Sequence, residues 1–223
     1  YKDGTRTKSM KMMMDTVVYI SSSKSNLWNK SRIQNTGFFV EYKALFSSWE
    51  LDASVRLDNN MACSEDSLKI VKEDVVYFDN DGSHHFNVSF NFGLTKNFMD
   101  RFSVSLALAR GTRSPNLLER YIKLMPVGYD NFDYLGNPQL KPETNNEADL
   151  TFKYSDEIAG AFYLNGFYSY VQNYISGVLR PSSVVMPQTA GSLGVKQFVN
   201  EASVSFTGVE FGYASPENYK LGV

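Results

Sequence analysis

The chain has 223 residues, enough for one large all-β domain or two small ones. Its formal net charge of -2 excludes the concentrated basic surface that a nucleic-acid partner requires, and its single cysteine excludes an internal disulfide framework. The chain holds no apolar run of about 18 residues, which excludes a transmembrane helix but not spanning strands, whose apolar residues only alternate. Tyr1–Lys11 is polar and basic, unlike a signal peptide, and Tyr219–Val223 has strand character. With no initial Met, the sequence reads as a piece of something longer.

Taken in chain order, the dominant signal is period-two alternation. A less defined strand lies around Met12–Ile20, and Phe38, Val40, Tyr42 and Ala44 then alternate with Phe39, Glu41 and Lys43. After Ser47-Ser48 the apolar row Trp49, Leu51, Ala53, Val55, Leu57 interleaves with Glu50, Asp52, Ser54, Arg56, Asp58. Phe86, Val88, Phe90, Phe92 and Leu94 alternate with Asn87, Ser89, Asn91, Gly93 and Thr95. Across the turn Lys96–Asp100 follow Phe102, Val104, Leu106 and Leu108 against small residues. Ala148, Leu150, Phe152 and Tyr154 alternate with Glu147, Asp149, Thr151 and Lys153; after Asp156–Ala159 come Phe162, Leu164, Gly166, Tyr168 and Tyr170. Near the end, Ala202, Val204 and Phe206 lead to Gly208, where a bulge is expected to switch the face before Val209 and Phe211. These segments amount to about eight strands.

Connectors alternate in size. Three are tight, and between them lie long polar ones at Asn59–Ser83, Arg113–Asn146 and Ser176–Phe198. In an up-and-down sheet this gathers every tight turn at one end and every long loop at the other, as in transmembrane barrels with short periplasmic turns and long extracellular loops. The fold expected is therefore all-β: an antiparallel up-and-down transmembrane β-barrel segment. A soluble β-sandwich, such as a glycan-binding module, would show the same alternation with its apolar rows packed together. A complete barrel of about eight strands would fill its interior with side chains and leave no lumen.

One stretch carries more than pattern. Arg110-Gly-Thr-Arg113-Ser-Pro115-Asn-Leu-Leu-Glu-Arg120-Tyr121 is followed by Gly136-Asn137-Pro138-Gln-Leu140-Lys141-Pro142-Glu143 and then an alternating strand. This resembles the barrel of TonB-dependent outer-membrane receptors, with Ser114 where the family usually has Ala. Thr36–Tyr42 with Leu51–Asp58, Phe167–Ile175, and Asn200 through Gly208-Val-Glu210 resemble that family's neighbouring strands in the same order. The two prolines exclude regular ladder pairing and stiffen the approach to the next strand, with Glu143 and Lys141 as candidates to fix the loop base, so the motif reads as a strand-entry clamp.

The resemblance implies about eight strands of a barrel of about 22 closed around a plug. It also implies outer-membrane lipid around the strands, a TonB-type energy-coupling protein gripping an N-terminal box, and a small-molecule or metal-chelate ligand. Neither plug nor box is in this sequence, and no resident cofactor is expected. Siderophore-bound iron leads as cargo, with copper or cobalamin as alternatives; a passive porin-like or adhesive barrel is the competing class.

Lumen-facing candidates are Glu41, Lys43, Glu50, Asp52, Arg56, Asn87, Asn91, Glu147, Asp149 and Lys153. Loop candidates for an anionic, aromatic ligand are Arg110, Arg113, Arg120, Tyr121, Tyr129 and Tyr134, by bidentate and stacking contacts. Met61, Cys63, His84 and His85, with Met10, Met12, Met13 and Met14, supply soft sulfur and imidazole suited to copper, although at irregular spacing and with Met equally able to fill gaps. No catalytic constellation stands out, so an enzyme is not expected.

Overall fold

The computed structural model describes residues 2–14, 17–65, 70–72, 75–79, 82–99 and 101–216, with side-chain surroundings for 30–65, 78–79, 82–99 and 101–216. Strands dominate: β1 (Lys2–Met14), β2 (Val17–Phe46), β3 (Trp49–Cys63), β4 (Ile70–Lys72), β5 (Val75–Phe78), β6 (Ser83–Phe98), β7 (Phe102–Arg113), β8 (Lys123–Met125), β9 (Asp133–Leu135), β10 (Glu143–Asp156), β11 (Gly160–Arg180) and β12 (Val195–Ala214). One short helix, α1 (Leu117–Tyr121), interrupts them. The main sheet runs β1-β2-β3-β6-β7-β10-β11-β12-β9-β8, and β4-β5 form a separate hairpin. The order is open, with β1 at one edge and β8 at the other.

Every pair among the long strands is antiparallel and consecutive once the loop elements are set aside. The up-and-down meander and its eight long strands match the expectation. The first of them differs: Met12–Ile20 is not one strand but the closing end of a hairpin, with Met14 opposite Val17 and residues 15–16 outside the described ones. β1 pairs only with Val17–Ser31 of β2, and β3 only from Arg32 onward. The first hairpin therefore extends beyond the level at which the other strands pair. The expected strand at Tyr219–Val223 lies outside the described residues.

The register sorts every spanning residue onto one of two faces. Glu41 lies opposite Ser54, then Asn91, Ala109, Glu147 and Ser169 in turn. Because side chains alternate along a strand, all ten lumen-facing candidates share this face. The opposite face carries the apolar rows, and these are open. Phe38 is 67% exposed, Leu106 and Leu150 are each 42%, and Phe211 is 68%. In a water-soluble sandwich these rows would be the core; among the described residues no second sheet packs on them.

Aromatic rings close this exterior face at the turn end. Phe46, Trp49, Phe98, Phe102, Tyr154, Phe162 and Tyr213 sit at the tight-turn ends of their strands, on one face and exposed. Phe98 and Phe102 stand 5.9 Å apart, Phe162 and Tyr213 4.6 Å, and the Lys96 ammonium lies 4.6 Å over the Trp49 ring. A belt of amphipathic or flat rings at one end of an apolar band is what a bilayer interface selects. The tight turns themselves are short for local reasons: Asp156 Oδ1 accepts the Ile158 and Ala159 amides, and Arg101 pairs with its other oxygen at 2.7 Å.

The expected bulge at Gly208 is absent. β11 and β12 keep one register from Ala161–Ala214 to Arg180–Val195, so Ala202, Val204 and Phe206 share the lumen face with Gly208 and Glu210. Gly208 serves packing instead: a Cβ there would lie 2.6 Å from the Phe167 ring, which covers its backbone from the neighbouring strand. On the exterior, Ser205 and Thr207 stand beside Tyr170 and Tyr168, so wide rings flank small hydroxyl residues.

The buried core is at the loop end, not between sheets. Ile122, Tyr134, Leu140, Ile175 and Phe198 form one cluster; Phe78, Leu124, Leu135, Val185 and Val195 form another. The long connectors are thus folded structures: β9 runs parallel to β12 from Asp133 opposite Val195, β8 pairs with β9, and α1 and β8 lie against β2.

Candidate functional site

The candidate site is the lumen face together with the folded loops at its upper end. Polar side chains on that face bond across strands. Ser54 donates to Asn91 at 2.9 Å, Thr151 to Asn165 at 2.8 Å and Ser169 to Asn145 at 2.6 Å. Arg56 grips Asp58 in the same strand through Nε and Nη2 at 2.7 and 2.8 Å, and Asn35 donates to the same carboxylate at 3.1 Å. Lys43 lies 2.9 Å from Glu41 and 3.6 Å from Asp52 across the ladder. The Lys43 pairs are exposed to solvent and each is worth little singly, whereas Asp58 and Ser169 are buried among their partners; together they make a wall of both signs rather than a concentrated anion or cation trap.

Above this wall, the Arg113-to-Glu143 stretch closes on itself. Asn116 caps α1 by accepting the Glu119 amide at 2.9 Å, while the Glu119 carboxylate accepts the Asn116 amide at 2.7 Å. Arg113 spans that carboxylate at 2.9 Å and Glu143 at 2.5 Å. The second Glu143 oxygen takes the Ile175 amide at 2.6 Å, tying β10 to β11. Pro115, Pro138 and Leu140 are buried. Asn137 Oδ1 accepts the Gln139 amide at 3.0 Å, and the Lys141 backbone makes a two-way bond with the Asn200 side chain at 2.8 and 3.1 Å. Replacing Glu143 by Ala removes one of two carboxylates from Arg113 and the acceptor from the Ile175 amide. The expected cost is about 1–3 kcal/mol, felt locally. Faster hydrogen exchange at Ile175 checks it; unchanged protection there would show the clamp to be dispensable.

The Arg/Tyr group expected to hold a ligand is not one surface. Arg110 lies on the exterior row, opposite Phe90 and Asn146. Arg120, Tyr121 and Tyr134 are in the loop core, whereas Arg110 and Arg113 are exposed and Tyr129 is 81% exposed. Arg and Tyr residues near one another in sequence were dispersed because β7 still has strand periodicity at Arg110, whereas Arg120 sits one turn into a helix.

Arg120 is wholly buried: its Nη2 donates to Asn60 at 2.8 Å and meets His85 Nδ1 at 3.1 Å, while its Nε and Nη1 find no acceptor. Burial draws its guanidinium below the ordinary value. Gly136 permits this, since a Cβ there would overlap the Arg120 carbonyl.

The copper candidates divide between faces. Met61 is directly opposite His84, and Cys63 follows on the same exterior row; these line a shallow groove with Arg32 and Gln34, while His84 bonds Asn59. His85 points the other way, towards Arg120. The side chains of Met10, Met12, Met13 and Met14 lie outside the described ones.

Residues that sequence reasoning missed hold the loops together. Asp130 accepts from Lys196 at 2.5 Å, from the Tyr134 hydroxyl at 3.0 Å and, through Oδ1, from the Phe132 amide at 3.2 Å. The Lys196 bond, with these others, holds the Asp130 carboxyl below its usual range; burial, then Asp130, pushes Tyr134 up to about 12. Because Asp130 is depressed in the folded state, its contribution is present above the ordinary carboxylate value and lost as pH falls through the folded one. Acidification below about pH 4 is expected to loosen this loop, and Asp130→Asn to remove that acid-side dependence, read by amide exchange of 130–135. Tyr134 works in the opposite sense, its hydroxyl bond failing only in strong alkali.

The description "TonB dependent receptor-like, beta-barrel" belongs to the family whose model matches residues 5–223. No curated protein matches the chain. Among solved structures, the copper transporter OprC is similar over 86% of this chain and 28% of its own, at 17% identity and a TM-score of 0.63. The Serratia marcescens hemophore receptor HasR, a double mutant solved with its hemophore HasA and heme, covers 88% of this chain and 35% of its own at 13% identity and 0.67. The siderophore receptor PirA from Pseudomonas aeruginosa covers 96% and 47% at 16% identity and 0.53. The chain therefore spans less than half the length of each. With the matched model extending over nearly every residue, and the sheet open as a partial barrel must be, this chain belongs to the TonB-dependent receptors and forms part of their β-barrel.

Proposed function

We propose that this chain is part of the wall of an outer-membrane receptor that takes up a scarce nutrient with energy from a TonB-type coupling protein. The observation that carries the reading is the division of the sheet: open apolar rows with an aromatic belt on one face, hydrated polar rows on the other. In this arrangement the strands stand in the outer membrane of a Gram-negative bacterium, with tight turns towards the periplasm and the folded loops outside. Ligand contacts come from the lumen wall and the loop surface, with Tyr129 the open aromatic among the loop candidates. The buried Arg120, Tyr121 and Tyr134 hold the loops in shape rather than touching cargo.

Siderophore-bound iron is the leading cargo. A hydrated wall of mixed charge suits a large polar chelate passing through better than a small ion bound by soft donors, and the division of Met61, Cys63 and His84 from His85 weakens the copper alternative. Starvation for iron, copper or cobalamin in turn, with expression of the gene followed, tests this reading. Induction by iron limitation, together with uptake of a ferric siderophore that stops when the proton gradient is collapsed, is expected. Uptake that survives this collapse would point to a passive barrel, and induction by copper limitation alone would replace the cargo.

A further inference from the structure

The β1–β2 hairpin has one edge that the barrel wall does not use. β2 lies between β1 and β3, but β3 pairs with it only from Arg32 onward. Above that level residues 17–28 pair with β1 alone, and no described strand lies against their second edge. A bulge marks the place where the hairpin leaves the wall: the register slips between Lys2 and Thr5, and Lys30 has a φ of 31°. The edge is about 40 Å long at a strand's ordinary rise.

Such an edge is a row of backbone N–H and C=O groups open to another strand, and proteins blunt it with proline, with several charges or with a covering element. Residues 17–28 contain no proline and one charge, Lys24. The neighbouring loop strands β4 and β5 pair only with each other. Composition along the hairpin is graded. At its tip Met12, Met13 and Met14 lie opposite Tyr19, Val18 and Val17, so apolar residues occupy both faces there. Nearer the wall Arg6 lies opposite Ser25, Thr7 opposite Lys24 and Lys8 opposite Ser23. Residues 2–29 hold five cations, Lys2, Arg6, Lys8, Lys11 and Lys24, against Asp3 and Asp15, in a chain whose net charge is -2.

We infer that this edge docks an extended segment of a second, extracellular protein, which adds to β2 as a further antiparallel strand. Its acidic residues lie beside the basic stretch and its apolar residues beside the tip. Backbone bonds supply affinity in this mode, and the grade from cations to apolar residues sets the direction of the added strand. The placement outside the cell rests on the orientation proposed above, whereas the open edge does not.

The test uses the intact receptor in mild detergent. Its probe is a soluble, labelled twelve-residue peptide, alternating Thr and Glu in its first half and Thr and Val in its second, followed by fluorescence anisotropy. Saturable binding is expected, and N-methylation of the peptide amides, which removes the donors but keeps every charge, should weaken it at least about tenfold. Lys8→Glu with Lys24→Glu is expected to weaken it about tenfold as well. Joining Thr5 to Asn26 through an Asn-Gly turn should abolish binding while the strand signal in circular dichroism persists. Equal binding of the methylated peptide, or equal binding by the trimmed receptor, would overturn the inference. So would a receptor dimer that trimming dissolves, since the edge would then belong to a second copy. Failure of the membrane orientation is distinguishable: the peptide would bind the purified receptor but not intact cells.

Discussion

Arg in place of Leu106 is expected to destabilise the barrel by about 2–4 kcal/mol, whereas Arg in place of the adjacent Ala107 should cost less than about 1 kcal/mol. The two positions are consecutive in β7, so backbone propensity and strand position are matched and only the face differs. Leu106 lies between Leu94 and Leu150 on the open apolar row, near the middle of the band. A guanidinium there must leave water for hydrocarbon or drag water in with it. Ala107 lies between Gly93 and Asp149 on the lumen face, where an Arg finds both space and a carboxylate. Urea unfolding of the intact receptor refolded into lipid vesicles reads the difference. Equal losses would mean that both rows meet the same medium, and the membrane reading would fall with that result.

The contrast between those neighbours was legible in the sequence because the pleat converts period-two composition directly into facing. Trp49–Leu57 and Phe86–Leu94 need no tertiary information to be placed on the exterior: burial partners are absent, so composition alone decides. Facing is no longer encoded where the composition stops alternating. Around Met12–Ile20, apolar residues run on both sides of Asp15-Thr16, so nothing in the composition separates the end of β1 from the start of β2. At Gly208 the apolar residues do change rows, which suggested a bulge, but the unbroken β11–β12 register shows that the residues changed while the backbone did not. Phe167 covering Gly208 supplies the packing that a side chain would have given.

The loop candidates divide between surface and core for a different reason. Arg and Tyr were chosen for their chemistry, which is the same whether they meet a ligand or a neighbouring loop. Facing was not available in a connector without periodicity, and Asp133, which organises the loops, has no local signature because its partners are 55 and 56 residues away. The Asn137–Glu143 stretch was easier, since two prolines and a turn-forming Asn act locally and need no distant partner to be interpreted.

Asp133 gives the second large effect. Its side chain is fully buried, and Oδ2 accepts the Gln188 and Thr189 amides at 2.7 and 2.8 Å, while its own amide reaches Ser192 Oγ at 3.0 Å. The connector after β11 is thereby held against the connector after β7, with Leu193 donating to the Asn131 carbonyl at 2.8 Å beside it. Asp133→Ala leaves two part-buried amides without their acceptor, at a cost of about 1–3 kcal/mol. The loss is expected to open both connectors together, since neither has enough apolar contact to stay folded without the other: Val185 and Val195 from one share a cluster with Leu124 and Leu135 from the other. Limited proteolysis of the receptor should then cut in 122–136 and 181–194 at matched rates, with the spanning strands still protected. Asp133→Asn retains a neutral acceptor and should lose less. Cleavage confined to 181–194 would show that the first connector folds by itself, and that Asp133 anchors one loop rather than coupling two.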